Sequence, residues 1–211
     1  MTKITILCSL KIKPNRGGPT GYLANLQNGL PKNQRTLEFI TPAEHRTFKV
    51  ISRIANIIKN KKTRETLLNK IKGAIIRREL KRREPNFIMC HSPEDLVATN
   101  QIYLRSLQSL PKPKWILMCH SPTLPSEQEE ELQTYAGITP NVADVQRIER
   151  EAFTLADYIC KPSPHSMDAY ENKLSQILKQ KKKLSSPVDA LPSKRSKGMP
   201  SEVSLISEQD L

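Results

Sequence analysis

The chain has 211 residues and a formal net charge of +13, with 26% charged and 37% hydrophobic residues. This length suits one domain with a buried core followed by a tail. The chain opens without the charged-then-apolar segment of a secretory signal, and no apolar run approaches the roughly 18 residues of a membrane span. We therefore predict a cytoplasmic protein.

The four cysteines each lie in or at the end of an apolar run: Cys8, Cys90, Cys119 and Cys160. Their spacing does not match a secreted disulfide framework. We expect small, buried, free thiols at these positions.

The first predicted elements are a strand over residues 3–10, a glycine loop over 17–21 and a helix over 22–30. This order can present backbone N–H groups and a positive helix end to an anion. The loop, with Gly17, Gly18 and Gly21, matches neither the dinucleotide-binding nor the ATP-binding glycine pattern. A tight structural turn and a phosphate-binding turn both stay open. A short strand is predicted over residues 36–41.

Residues 46–83 have a helical period and suggest two surface helices. Between Glu44 and Glu84 there are fourteen Lys or Arg residues against four Glu. The predicted apolar stripes are Val50, Ile51, Ile54, Ile57 and Ile58, then Leu67, Leu68, Ile71, Ile75 and Leu80. The basic faces are either solvated or dock on an anionic membrane surface. We do not expect nucleic acid as the partner, because Phe48 is the one aromatic residue between residues 46 and 83 that could stack on a base.

The basic residues that we assign to a membrane-facing surface carry the positive charge of this region. They are Arg46, Lys49, Arg53, Lys59, Lys61, Lys62, Arg77, Arg78, Lys81, Arg82 and Arg83.

Two apolar runs, residues 86–89 and 115–118, end in the same four residues, Cys-His-Ser-Pro. Short apolar runs that stop at a proline are typical of buried parallel strands. The segment between them, residues 94–107, is helix-like. Because parallel sheets bind ligands at the carboxyl ends of their strands, we predict that His91 and His120 form the floor of a site.

The rest of the chain is predicted as a loop over residues 122–140, a helix over 141–155, a strand over 157–160 and a helix from about 165 to 179. Residues 181–211 are rich in Lys, Ser and Pro and are predicted to be disordered. The fold class expected from this order is α/β, a single Rossmann-like domain over residues 1–180 with a parallel sheet flanked by helices.

The order of these features resembles the N-terminal half of retaining glycosyltransferases of family four, which have the GT-B fold. The resemblance covers roughly residues 3–180. The segments that carry it are Gly17-Gly18 with Tyr22-Leu23-Ala24-Asn25-Leu26, the strand ends at His91 and His120, Glu149-Arg150-Glu151-Ala152, Ala156-Asp157-Tyr158-Ile159, and Ser163 to Ser166.

The resemblance implies sugar transfer from a nucleotide-sugar to a cell-surface polysaccharide or glycolipid acceptor. It implies a catalytic role for His120 near the transferred sugar, and substrate or donor binding by Gly17, Gly18, Gly21 and His91. The family's C-terminal domain, which holds most of the nucleotide-sugar site, has no counterpart in these 211 residues. A second domain or subunit is therefore expected. No cofactor and no metal are predicted, and a peripheral place on the inner face of the membrane is expected.

Other readings of the same residues stay open. The chain is alternatively a non-catalytic basic module that docks on an anionic membrane or on RNA. Cys90, His91, Cys119 and His120 are the right ligand types for zinc, but adjacent residues of a strand point to opposite faces. A Cys–His nucleophile pair within either dipeptide meets the same objection, and Cys90 with His120 is a further, unsupported pairing.

Overall fold

The computed structural model describes residues 3–13, 18–30, 37–120 and 123–160. Five parallel strands form a sheet of order β2-β1-β3-β4-β5, flanked by helices. The α/β class with a parallel sheet is therefore confirmed. The elements are β1 (Ile4–Leu7), α1 (Gly18–Gly29), β2 (Leu37–Ile40), a 3-10 turn (Pro42–Glu44), α2 (Arg46–Ala55), α3 (Lys61–Arg83), β3 (Phe87–Cys90), α4 (Pro93–Ser106), β4 (Lys114–Met118), α5 (Pro125–Tyr135), α6 (Ala143–Leu155) and β5 (Tyr158–Cys160).

The chain divides into two compact units. Of the described residues, the first unit contains those up to residue 90 and residues 98–113, and the second contains residues 91–97, 114–120 and 123–160. The expected disordered tail over 181–211 and the expected helix near 165–179 lie outside the described residues. No helix in the described part of the chain is long and apolar enough to cross a membrane.

In the first unit, β1 pairs in parallel with β2 on one side and with β3 on the other. All four residues of β1 are buried, as expected for a parallel strand with both faces covered. Leu23 and Ala24 of α1 join Ile6 and Cys8 in a core cluster. The apolar side of α1 thus covers one face of these strands.

Ion pairs between side chains hold the carboxyl end of α3 to β2. The Arg83 guanidinium donates to Glu38 at 2.9 Å and to Glu79 at 3.1 Å, and its side chain is only 15% exposed. The ion pairs of an arginine that is largely buried and bridges two acids contribute more to stability than an ion pair exposed on the surface. Arg83 is therefore part of the fold, which differs from its predicted place on a membrane-facing surface.

The second unit contains the parallel pair β4 and β5, joined through α5 and α6. The carboxylate of Asp157 accepts hydrogen bonds from the backbone N–H of Trp115 at 2.8 Å and from Lys114 Nζ at 3.1 Å. The Asp157 N–H donates to the Trp115 carbonyl at 2.8 Å. One aspartate thus fixes the register at the start of both strands.

The predicted loop over residues 122–140 is wrong in part, because α5 occupies Pro125–Tyr135. Proline fixes the backbone angle suited to a first helical turn, and the Glu127 carboxylate accepts a hydrogen bond from the Leu124 N–H at 3.0 Å. The segment has few apolar residues, so its hydrophobic period is weak. The helix depends on its N-terminal residues and on Glu and Gln, which favour helix.

The apolar stripe predicted for α2 is also wrong in part. Ile51 and Ile58 are partly buried and Ala55 is fully buried, but Val50, Ile54 and Ile57 are 49%, 60% and 80% exposed. The five residues therefore belong to two faces. In α3 the predicted apolar face is confirmed in part, since Ile75 and Leu80 are buried while Leu67, Leu68 and Ile71 are partly buried.

Replacing Asp157 with alanine should lower the free energy of unfolding by about 1–3 kcal/mol, because the buried strand end loses its acceptor. Urea unfolding followed by circular dichroism measures the change. Asp144→Ala is the matched control, since the Asp144 side chain is 91% exposed and forms an ion pair with Arg147 at 3.4 Å. Equal losses in the two variants would contradict the anchoring role of Asp157.

Candidate functional site

His91 is placed by a short turn from strand to helix. It comes directly after the last residue of β3, and Ser92 then accepts a hydrogen bond at its Oγ from the Asp95 N–H at 3.1 Å. Pro93 is the first residue of α4, where its missing N–H costs nothing. The proline that ends the apolar run therefore opens the next helix, and the histidine lies on the link between the two.

His120 follows a strand whose pairing extends to the residue before it. The Cys119 N–H donates to the Cys160 carbonyl at 2.8 Å, one step beyond the paired residues Met118 and Cys160. The backbone of β4 is thus fixed up to the residue before the histidine. Ser121 and Pro122, which complete the second Cys-His-Ser-Pro, lie outside the described residues.

The two predicted histidines contact each other directly. His91 Nδ1 lies 2.5 Å from His120 Nε2, the ring centroids are 4.8 Å apart, and the ring planes differ by 22°. Two nitrogens at this distance share a single proton, because two N–H groups that point at each other would repel, whereas one N–H and one bare nitrogen form a hydrogen bond. The rings are therefore coupled through one N–H···N bond.

Both imidazoles are held neutral. Burial, together with the charge of His120, lowers the pKa of His91 from 6.5 to about 3, and burial lowers the pKa of His120 to about 4. His91 is only 6% exposed, whereas His120 is partly buried. Of the two rings, His120 is the one more accessible to a bound molecule.

A neutral pair of this kind has two proton arrangements. If the shared proton is on His91 Nδ1, then His120 Nε2 accepts it and His120 Nδ1 carries an N–H donor. If the shared proton is on His120 Nε2, then His120 Nδ1 is an acceptor. The pair can therefore offer either a donor or an acceptor to a hydroxyl group, whereas an imidazolium ion offers only donors.

The cysteines beside this pair are unsuited to nucleophilic chemistry. Burial, the nearby Cys160 thiol and the Glu149 carboxylate all raise the pKa of Cys119, and burial raises the pKa of Cys160 to about 12. A thiol attacks only as the thiolate. The prediction that the four cysteines are buried thiols outside a disulfide is confirmed.

Glu149 forms a contact that sequence reasoning missed. Its side chain is only 4% exposed, and its two oxygens accept from the Ser126 N–H at 3.1 Å and from the Ser126 hydroxyl at 2.7 Å. Ser126 is in the first turn of α5, where backbone N–H groups lack helical partners. The contact joins α6 to the start of α5, and no local pattern in the sequence signals it.

The remaining predicted residues are dispersed. Gly18 begins α1 and Gly21 is buried within it, so the helix starts four residues earlier than expected; Gly17 lies outside the described residues. Among residues 3–13, 18–30, 37–120 and 123–160, no three His, Cys, Asp or Glu side chains are grouped closely enough to hold a metal ion.

The predicted basic residues fall into two groups. Lys61, Arg82 and Arg83 form ion pairs with Glu65, Glu79 and Glu38. The others form no ion pair with an acid in the described ranges: Arg46, Lys49, Arg53, Lys59, Lys62, Arg77, Arg78 and Lys81.

Comparison with known proteins gave no match to any family model, to any curated protein or to any solved structure.

The neutral histidine pair should make stability depend on pH. The folded-state pKa values lie below the ordinary value of 6.5, so between about 6.5 and 4 the unfolded chain binds more protons than the folded one. The free energy of unfolding should therefore fall as the pH decreases through this range, by up to about 1.4 kcal/mol per pH unit for each histidine.

Proton NMR of the histidine rings tests this directly. The signals of His91 and His120, assigned from the spectra of His91→Gln and His120→Gln, should stay at their neutral positions from pH 8 down to about pH 5. Titration of either signal with a midpoint near 6.5 would contradict the buried neutral pair.

Proposed function

We propose that this chain is the acceptor-side half of a glycosyltransferase of the GT-B type. It would act with a second domain or subunit that binds the nucleotide, and transfer a sugar to a cell-surface polysaccharide or glycolipid acceptor. The observation that carries the proposal is the coupled, neutral pair of His91 and His120, each directly following or closely following a parallel strand.

The chemistry of sugar transfer fits the properties of this pair. An acceptor hydroxyl forms a bond to the anomeric carbon, the bond from that carbon to the diphosphate breaks, and the hydroxyl proton is released. A hydroxyl group both donates and accepts hydrogen bonds, so a neutral imidazole, which can supply either role, is able to bind and orient it. His120 would bind the hydroxyl of the transferred sugar or of the acceptor.

His91 would act through His120. It is buried, and its Nδ1 lies 2.5 Å from His120 Nε2, so its tautomer decides whether the outer nitrogen of His120 donates or accepts. This is the role of a positioning residue. Gly17, Gly18 and Gly21 remain proposed binding residues for the donor or acceptor, since amide N–H groups at the start of a helix suit anionic groups.

Removing the His120 ring should lower the rate of sugar transfer at least about tenfold, because a hydrogen bond made in the transition state is lost. The assay combines the chain with a separately supplied donor-binding domain and follows transfer from UDP-glucose and GDP-mannose, with calorimetry for binding. His45→Ala is the control, since the His45 side chain caps α2 by accepting from the Thr47 N–H at 3.3 Å.

The outcomes separate the enzyme from other functions. The proposal is supported if binding and transfer appear only with the second domain. Both should then be reduced in His120→Ala but not in His45→Ala. Absence of nucleotide-sugar binding in both preparations would contradict it, and so would an unchanged rate in His120→Ala.

A second function, docking on an anionic membrane, is favoured by a specific surface of α2. Val50 and Ile54 of α2 and Ile57 just after the helix are exposed apolar residues that form a ridge, and Arg46, Lys49 and Arg53 lie on the same helix. An amphipathic surface of this type inserts its apolar side chains among lipid chains while its cations contact acidic headgroups. This membrane contact is compatible with a lipid-linked acceptor.

Changing Ile54 to aspartate should lower binding to vesicles that contain phosphatidylglycerol by about tenfold or more, because an apolar contact is replaced by a charge that repels the acidic surface. Pelleting with the vesicles measures it, and vesicles of phosphatidylcholine alone give the baseline. Leu132→Asp is the matched control, since Leu132 is 64% exposed on α5. Equal losses in both variants would contradict docking through the ridge.

A further inference from the structure

A cationic groove lies between α3 and the carboxyl-terminal part of α4, within the first unit. It has a volume of about 570 Å³, and its charged lining residues are Lys70 and Arg77 of α3 and Arg105 of α4. A second recess of about 690 Å³ shares Arg77 and adds Arg78, Lys81 and Arg82. Arg77 therefore belongs to both recesses.

No carboxylate of the described residues lines either recess. Lys70, Arg77 and Arg105 form no ion pair with any acid of the described ranges. On the same helix, Arg82 and Arg83 are paired with Glu79. The cations of α3 thus form two groups. Arg82 and Arg83 are paired with an acid, whereas Lys70 and Arg77, which line the first recess, are not paired with an acid of the described residues.

Small residues also line the groove. Gly73 and Ala74 of α3 lie opposite Ala98 of α4, and a Cβ added at Gly73 would lie 3.6 Å from Ile102 Cδ1, an ordinary contact. A glycine inside a helix lowers its stability relative to alanine, and here alanine would fit. The lining of the groove therefore consists of small side chains as well as charged ones.

The spacing of the cations suits more than one anionic group. Lys70 and Arg77 are seven residues apart, so they lie on the same side of α3 and are separated by about 10.5 Å along its axis. Arg77 and Lys81 are one turn apart, about 6 Å. A guanidinium binds phosphate oxygens through two parallel hydrogen bonds, and the ammonium groups supply further charge.

We propose that this groove binds a ligand with two or more phosphate groups, with Arg77 as the central contact and Lys70, Lys81 and Arg105 around it. Asn69 and Gln101 also line the groove and supply amide groups for the uncharged, hydroxyl-bearing part of such a ligand. The ligand is either a phosphorylated lipid headgroup or a free phosphate compound. The groove is independent of the histidine pair and of the sugar-transfer function proposed for it.

Calorimetric titration of the full chain with inorganic tripolyphosphate tests the site. Arg77→Gln and Ala74→Glu should each weaken binding by about tenfold or more, since the first removes a charge-assisted contact and the second places a carboxylate in the groove. Both substitutions change an exposed position on a helix and lower the positive charge by one unit. Circular dichroism confirms that each variant is folded.

Arg64→Gln is the matched control, because Arg64 is on α3, does not line either recess, and its loss changes the net charge by the same amount. An equal loss of affinity in Arg64→Gln would mean that tripolyphosphate follows net charge alone, and the proposal would be overturned. No binding by the unaltered chain, or binding of an RNA oligomer without binding of tripolyphosphate, would also overturn it.

The source of the phosphate groups is decided by competition. If tripolyphosphate releases the chain from vesicles containing phosphatidylinositol bisphosphate, and Arg77→Gln weakens both interactions, the groove binds a lipid headgroup. If tripolyphosphate binds in an Arg77-dependent way but does not release the chain from these vesicles, a free phosphate compound is the ligand. Neither result depends on His120, so the site can be confirmed even if sugar transfer is not.

Discussion

The first unit depends on the complete burial of β1. Its four residues are covered on both faces while its two edges pair with β2 and β3, so the hydrogen bonds of the β1 backbone are made away from water. Parallel strands of this kind need a connection that crosses over the sheet, which places helices on the faces. Each strand then points its carboxyl end toward the same edge, and the residues that follow the strands collect there.

In the second unit, two histidines far apart in sequence become one chemical group. Once His91 Nδ1 and His120 Nε2 are at 2.5 Å, the two rings hold one proton between them, and burial makes a second charge costly. The pair is then neutral at physiological pH and changes its hydrogen-bonding character by moving a proton, without changing its charge. Such a group suits hydroxyl recognition better than it suits attack or metal binding.

The cationic side chains lie in three different settings in the structure. Arg83 bridges Glu38 and Glu79 and holds α3 to β2. Arg46, Lys49 and Arg53 lie on α2 together with exposed apolar residues, and Lys70, Arg77 and Arg105 line a groove. The same residue types therefore stabilise the fold in one place and are available to anionic partners in two others. Net charge alone does not separate these uses.

The sequence by itself determined the α/β class, the order of the strands and helices apart from α5, and the edge at which His91 and His120 lie. These features follow from local hydrophobic period and from proline at the ends of strands, both of which act over a few neighbouring residues. The burial of the four cysteines was also predictable, because each is in or at the end of an apolar run.

Only the tertiary structure decided which groups meet. The contact between His91 and His120, the bond from Ser126 to Glu149, and the grouping of Arg77 with Arg105 join residues that are 29, 23 and 28 positions apart. The two faces of α2 could not be predicted either. Val50 and Ile51 are both apolar in the sequence, and only the structure shows that Ile51 packs against neighbours while Val50 is exposed. Packing between distant elements assigns those partners, and it has no local signature in the chain.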